Sequence, residues 1–130
     1  MRKLEGPEIA AYDVLDPDLA AKVWIQKVPV LPRGASGMTI WRLVFLKSDD
    51  VRDGSRKLIA HELVHVRQYA ELGYLRFSYR YLRDYFRNLW ELRRHRPAYL
   101  AIPAEIEARA EADEWAIRHG HARERGDVIT

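Results

Sequence analysis

Leu58-Ile59-Ala60-His61-Glu62-Leu63-Val64-His65-Val66-Arg67-Gln68-Tyr69 is the stretch on which the reading of this chain turns. Its apolar residues recur at helical spacing through Leu72, and Gly73 supplies a suitable stop. In a helix, His61 and His65 lie one turn apart on one face and can share a cation. Glu62 then stands beside that cation, where a general base for a water molecule is wanted. Ser55, after the polar connection 48–54, is the expected N-cap.

The 130 residues set the scale of one domain, and 48% hydrophobic content excludes a disordered chain. The absence of cysteine removes disulfides and thiolate ligands, so a zinc site must be built from His with Glu or Asp. The net charge is +3. No apolar run reaches the roughly 18 residues of a membrane span, and the N-terminus lacks the apolar core of a signal peptide. These features lead to the expectation of a soluble cytoplasmic protein.

Around the motif the pattern predicts an α+β domain, a small antiparallel sheet followed by three helices. Asp16 caps a short helix that starts at Pro17. Residues 23–30 form one strand, and 38–47 (MTIWRLVFLK) form a second, apolar on both faces. After the motif helix, 74–90 is a helix with Leu75, Tyr79, Leu82, Phe86 and Leu89 turned to the core. Residues 91–103 are a broken linker, and the last helix covers 104–119. The motif-bearing part is about 38–119, with 1–15 and 121–130 peripheral. Trp24, Trp41, Trp90 and Trp115 are expected as core anchors.

Two histidines do not complete a catalytic zinc site, which needs three protein ligands and an open position. The last helix offers Glu105, Glu107 and Glu111. At ~100° per residue, Glu105 shares its face with Ala108, Ala112 and Ala116, small side chains that let another helix approach. Glu107 points away with Glu111 and Glu114. Glu105 is the predicted third ligand, with Glu107 and then Glu111 as fallbacks. Gln68, one turn past His65, is placed to fix the far nitrogen of a metal-bound ring.

His61-Glu62-x-x-His65 followed some forty residues later by Glu105-x-x-Ala108 on an alanine-rich helix resembles the gluzincin branch of the zincin metallopeptidases, over roughly residues 38–119. The compact length and the strand before the motif resemble the small minigluzincin form of that fold. The resemblance implies Zn²⁺ on His61, His65 and Glu105, water activated by Glu62, and a peptide or protein substrate. It also implies an oxyanion-stabilising group, for which Tyr69, His95 and Tyr99 are equal candidates. The secreted families that use a third histidine are excluded, because Gln68 and Glu71 stand where it would be. One departure stands out: Arg109 occupies the position, four after the ligand glutamate, where related families carry an acidic residue. Asp113 is the substitute to be tested.

Two other readings start from the same residues. A zincin-like domain can keep a metal and serve only in binding, in which case Glu62 has no catalytic task. The row Arg76, Arg80, Arg83 and Arg87 could instead make a nucleic-acid surface. A solvated helix face, with arginines paired to the glutamates of the last helix, is the favoured reading of that row. His119-Gly120-His121 is read as surface rather than as a metal site.

Overall fold

The computed structural model describes residues 1–120. Its sheet is built around β4 (Leu43–Leu46), whose Val44 and Leu46 are fully buried. On one side β4 pairs antiparallel with β3 (Gly37–Ile40), and on the other it runs parallel to β2 (Trp24–Lys27). β1 (Arg2–Lys3) adds antiparallel to β2, giving the order β1-β2-β4-β3. The sheet is therefore mixed and four-stranded, not the antiparallel pair expected. The fold is α+β, as predicted, with six helices among the described residues.

The expected strand 38–47 is in fact the hairpin β3–β4, turning at Trp41-Arg42. Nothing in those two residues signals a turn, and Trp41 takes a left-handed φ of 60°. Tertiary contacts hold it there. The Trp41 ring stands edge-on to Tyr69 and Tyr74, and the Arg42 guanidinium lies 4.8 Å from its centroid.

Residues 1–15 are not peripheral. They form β1 and α1 (Gly6–Ala11), and Leu4, Tyr12, Val14 and Leu15 enter the main core. Arg2 clamps the segment down, with Nη1 2.6 Å from Glu8 and Nε 2.7 Å from Asp49. Burial works to raise the Asp49 carboxyl, but the hydrogen bonds and charge of Arg2 outweigh it and hold Asp49 below its ordinary value. The short helix α2 (Pro17–Ala20) forms as predicted, with Asp16 accepting from the Asp18 amide at 2.8 Å. The tail 121–130 lies outside the described residues.

Gly54 makes the closest approach in the connection to the motif helix. Its φ is +85°, and a Cβ there would sit 2.5 Å from the Cβ of Ala11. Left-handed strain and overpacking together make Gly54→Ala cost about 2–3 kcal/mol, to be read from denaturant midpoints at unchanged slope.

The motif helix α3 (Lys57–Leu72) packs against β3, β4 and α6 (Pro103–Arg118). Its start is capped from outside: the Tyr12 hydroxyl accepts from the Arg56 amide at 3.0 Å. Ser55, the predicted N-cap, instead bonds to Asp53. Ala108, Ala112 and Ala116 of α6 are buried, which permits the close contact with α3. Trp115, also on that face, packs on Tyr12 and donates Nε1–H to the Ala11 carbonyl at 2.9 Å. Of the four tryptophans it alone is fully buried, whereas Trp24 and Trp90 are exposed and Trp41 is half-buried.

The helix α4 (Tyr74–Leu92) is rotated from its expected setting. Leu75, Tyr79, Leu82 and Phe86 face solvent. The inward row is Phe77, Tyr81, Asp84 and Asn88, because α4 crosses the site and presents an aromatic and polar face to it. A short helix α5 (His95–Leu100) lies within the expected linker; Asn88 donates to its Ala98 carbonyl at 3.2 Å.

Candidate metal centre

His61 and Glu62 are fully buried on α3, with His65 one turn later almost so. Glu105 reaches them from the first turn of α6. Its Oε1 lies 3.1 Å from His61 Nε2 and 3.0 Å from His65 Nε2. The ligand atoms of these three residues all fall within 4.8 Å of one another. Two imidazole nitrogens and a carboxylate oxygen converging in a buried site form a group that could hold a metal ion.

Protonation chemistry supports the fit. Burial works to raise Glu105, but the neighbouring His65 and the hydrogen bonds to its oxygens outweigh it, so the carboxylate is held below its ordinary pKa. Burial also opposes a charged His65, yet the Glu105 charge prevails and lifts it to about 9. His61 goes the other way: burial first, then the charges of His65, Arg109 and Lys57, push it well below its ordinary value. Glu105 is thus held toward its charged form and His61 toward its neutral form, the forms in which each could ligate a cation.

The surroundings of the two rings differ. Gln68 donates its amide nitrogen to the Ala104 carbonyl at 3.1 Å, so its oxygen faces His65 Nδ1 at 2.8 Å. That contact fixes Nδ1 as a donor and turns Nε2 toward the ligand position. His61 Nδ1 is buried without a hydrogen-bond partner. Asp113 does not serve it: its carboxylate pairs with Lys57, one turn before His61 on α3. Arg109, the departure noted in the sequence, sends Nη2 to the Leu100 carbonyl at 2.5 Å and so ties α6 to the end of α5. Gln68→Ala should lower zinc affinity by about 10–100-fold, measured by competition with a chromogenic chelator.

Glu107 and Glu111, the fallback ligands, are drawn away by Arg67. Arg67 Nη2 lies 2.8 Å from Glu107, Nε lies 3.1 Å from Glu71, and Glu111 is also bonded to it. His119 pairs loosely with Asp13 at 3.4 Å on the surface; His121 lies outside the described residues.

Glu62 is absent from the ligand cluster and is oriented separately. Thr39 Oγ1 on β3 donates to Glu62 Oε1 at 2.9 Å. A Cβ on Gly37 would come 3.2 Å from Glu62 Oε2, so this glycine leaves room for the carboxylate. A cleft of about 360 Å³ opens onto Glu62, His65 and Glu105, with Met38, Tyr69 and Phe77 among its apolar walls. Tyr99 and Tyr69 also line it, whereas His95 is engaged with the Tyr85 hydroxyl at 2.9 Å, outside the cleft lining.

Tyr81, not anticipated from the sequence, donates its hydroxyl to Glu105 Oε2 at 2.5 Å. Tyr99 bonds to the same carboxylate. Burial first, then the Glu105 charge, pushes both phenols far above their ordinary pKa, so both keep the proton they donate to the carboxylate. Tyr81 thereby holds Oε2 of Glu105 while Oε1 faces the histidines. The signal for Tyr81 was its spacing from Phe77, concealed by the apolar stripe on the opposite face of α4.

Residues 32–73 match a family model, the eCIS core domain. eCIS denotes extracellular contractile injection systems. The match covers about a third of the chain, from the turn before β3 to the end of α3, and so includes Thr39, His61, Glu62 and His65 but not Glu105. Comparison with curated proteins and with solved structures returns no match. The matched description names no metallopeptidase; that reading rests on the geometry of the site.

Proposed function

We propose that this chain is a zinc-dependent hydrolase of peptide bonds with a zincin-like centre. The observation that carries the reading is the convergence of His61 Nε2, His65 Nε2 and Glu105 Oε1 beside a separately oriented Glu62. When bound, zinc supplies a Lewis acid that acidifies water and polarises a carbonyl oxygen. Glu62 takes a proton from the attacking water and delivers it to the leaving amine. Thr39 holds the Glu62 carboxylate in register through that exchange, and the apolar cleft walls keep bulk water away from it.

An extended peptide is the substrate form this site favours. β3 is the end strand of the sheet, and Met38, Thr39 and Ile40 line the cleft, so the outer edge of β3 can align a main chain beside Glu62. The eCIS core likeness supports a place for the chain among components of contractile injection systems. A second reading, a metal-holding domain without turnover, is favoured by the unpartnered Nδ1 of His61. Hydrolysis by wild type but not by Glu62→Gln, with zinc held by both, supports the enzyme; zinc without hydrolysis in either leaves the second reading.

A further inference from the structure

Leu75, Tyr79, Leu82, Phe86 and Trp90 form one stripe down the outside of α4 and are each more than half exposed, Leu75 to 79% and Trp90 to 72%. Beside it on the same helix run Arg76, Arg80, Arg83 and Arg87, all exposed. The stripe and the row occupy adjacent sectors of a helix about 28 Å long. Exposed apolar surface of this extent marks a site of interaction.

We infer that α4 is an interfacial helix that docks this chain on an anionic lipid surface. The charge argument comes first. Residues 74–100 hold seven arginines against Asp84 and Glu91, while the whole chain has a net charge of only +3, so the rest of it is net acidic. The glutamates of α6 do not neutralise the row: Glu107 and Glu111 are bonded to Arg67. Asp84 serves Arg83 and Arg87, and Arg76 and Arg80 have no ion-pair partner among the described residues. Leucine, phenylalanine and tryptophan on one sector with four arginines on the next is the composition of a helix lying in a lipid headgroup layer.

The side chains suit that position. Arginine stems cover apolar surface while the guanidinium reaches polar headgroups. Here Arg83 lies 5.9 Å from the Tyr79 ring centroid and Arg93 lies 4.6 Å from that of Trp90, so charge sits directly against the stripe. Tyr79 and Trp90 have the apolar body and polar tip that favour an interface. An open depression of about 420 Å³ lies between Phe86, Leu89, Trp90 and Arg93 at the end of the stripe.

Other occupants fit less well. In a two-fold pairing of α4 with an antiparallel copy, each arginine row would face its symmetry mate. A nucleic-acid backbone would use the arginines and leave Leu75, Leu82 and Phe86 in water.

Flotation of the full chain with phosphatidylcholine vesicles, with and without ~25 mol % phosphatidylglycerol, tests the inference. Binding is expected only to the anionic vesicles, weakening as salt is raised. Arg76→Glu with Arg80→Glu should reduce it by at least about 25-fold, since each basic residue near such a surface contributes about fivefold. Phe86→Ser with Trp90→Ser should reduce it by at least about tenfold. All four side chains are exposed, so both variants should melt like wild type, and Glu62→Gln should bind vesicles unchanged. Equal binding to neutral vesicles, or retention of binding in both variants, would overturn the inference. So would a dimer lost in the Phe86/Trp90 variant without vesicle binding, or salt-sensitive binding to single-stranded RNA without it.

Discussion

Glu105→Gln should abolish the stoichiometric zinc binding proposed for this protein. Both histidine Nε2 atoms point at the same oxygen of Glu105, at 3.1 and 3.0 Å, so this residue is the third side of the only buried ligand cluster among the described residues. A neutral amide keeps the shape and can still accept from Tyr81 and Tyr99, but it no longer supplies the negative charge that offsets burying a divalent cation. Loss of a partner that merely orients a ligand costs up to about 100-fold in affinity, so loss of a ligand should cost at least that. Metal content after zinc loading and dialysis should fall from about one ion per chain to background. A chelator should lower the Tm of wild type by on the order of 10 °C and leave that of Glu105→Gln unmoved, because metal bound only by the folded state stabilises it. Glu105→Ala is the poorer test, since it also strips two buried phenols of their acceptor. Wild type without stoichiometric metal, or Glu105→Gln that holds zinc equally well, ends the metal-centre reading.

The site was legible because its information is periodic. His61, His65 and Gln68 are separated by helical intervals, and the alanines that share the Glu105 face mark it as the inward glutamate; the structure keeps each of these relations. Thr39 and Tyr81 were not legible, since what brings them to Glu62 and Glu105 is the packing of β3 and α4 against α3, a relation between segments. The same limit explains the fold. Trp41 turns a hairpin without turn chemistry because Tyr69 and Tyr74 hold its ring. Residues 1–15 carry weak local patterns, and their order comes from Arg2 bridging Glu8 and Asp49, a contact spanning 47 positions in the sequence. α4 shows the limit most clearly. The usual rule places its strongest apolar stripe in the core, yet the helix turns Tyr81, Asp84 and Asn88 inward and leaves the stripe in solvent. Amphipathicity identifies a face that needs covering; it does not say that this chain covers it.

Glu62→Gln should abolish turnover while sparing the metal. Glu62 lies outside the cluster formed by His61, His65 and Glu105, so its replacement leaves the ligand atoms in place. Glutamine can also retain the Thr39 hydrogen bond through its amide oxygen, and the Met38, Tyr69 and Phe77 walls of the cleft are untouched. What disappears is a group able to accept a proton from water and return it to the leaving nitrogen. General-base catalysis of that kind is worth about 10²–10⁴-fold, and the loss should fall on kcat, with KM for a peptide substrate little changed. Zinc content and Tm should match wild type. Thr39→Val provides a graded control: it keeps the carboxylate but frees it to rotate, so kcat should fall by about tenfold, less than in Glu62→Gln. A proton-transfer role requires that order of effects. Equal hydrolysis by Glu62→Gln and wild type would sink it, because a buried carboxylate that did no chemistry would be expendable beside an intact metal centre.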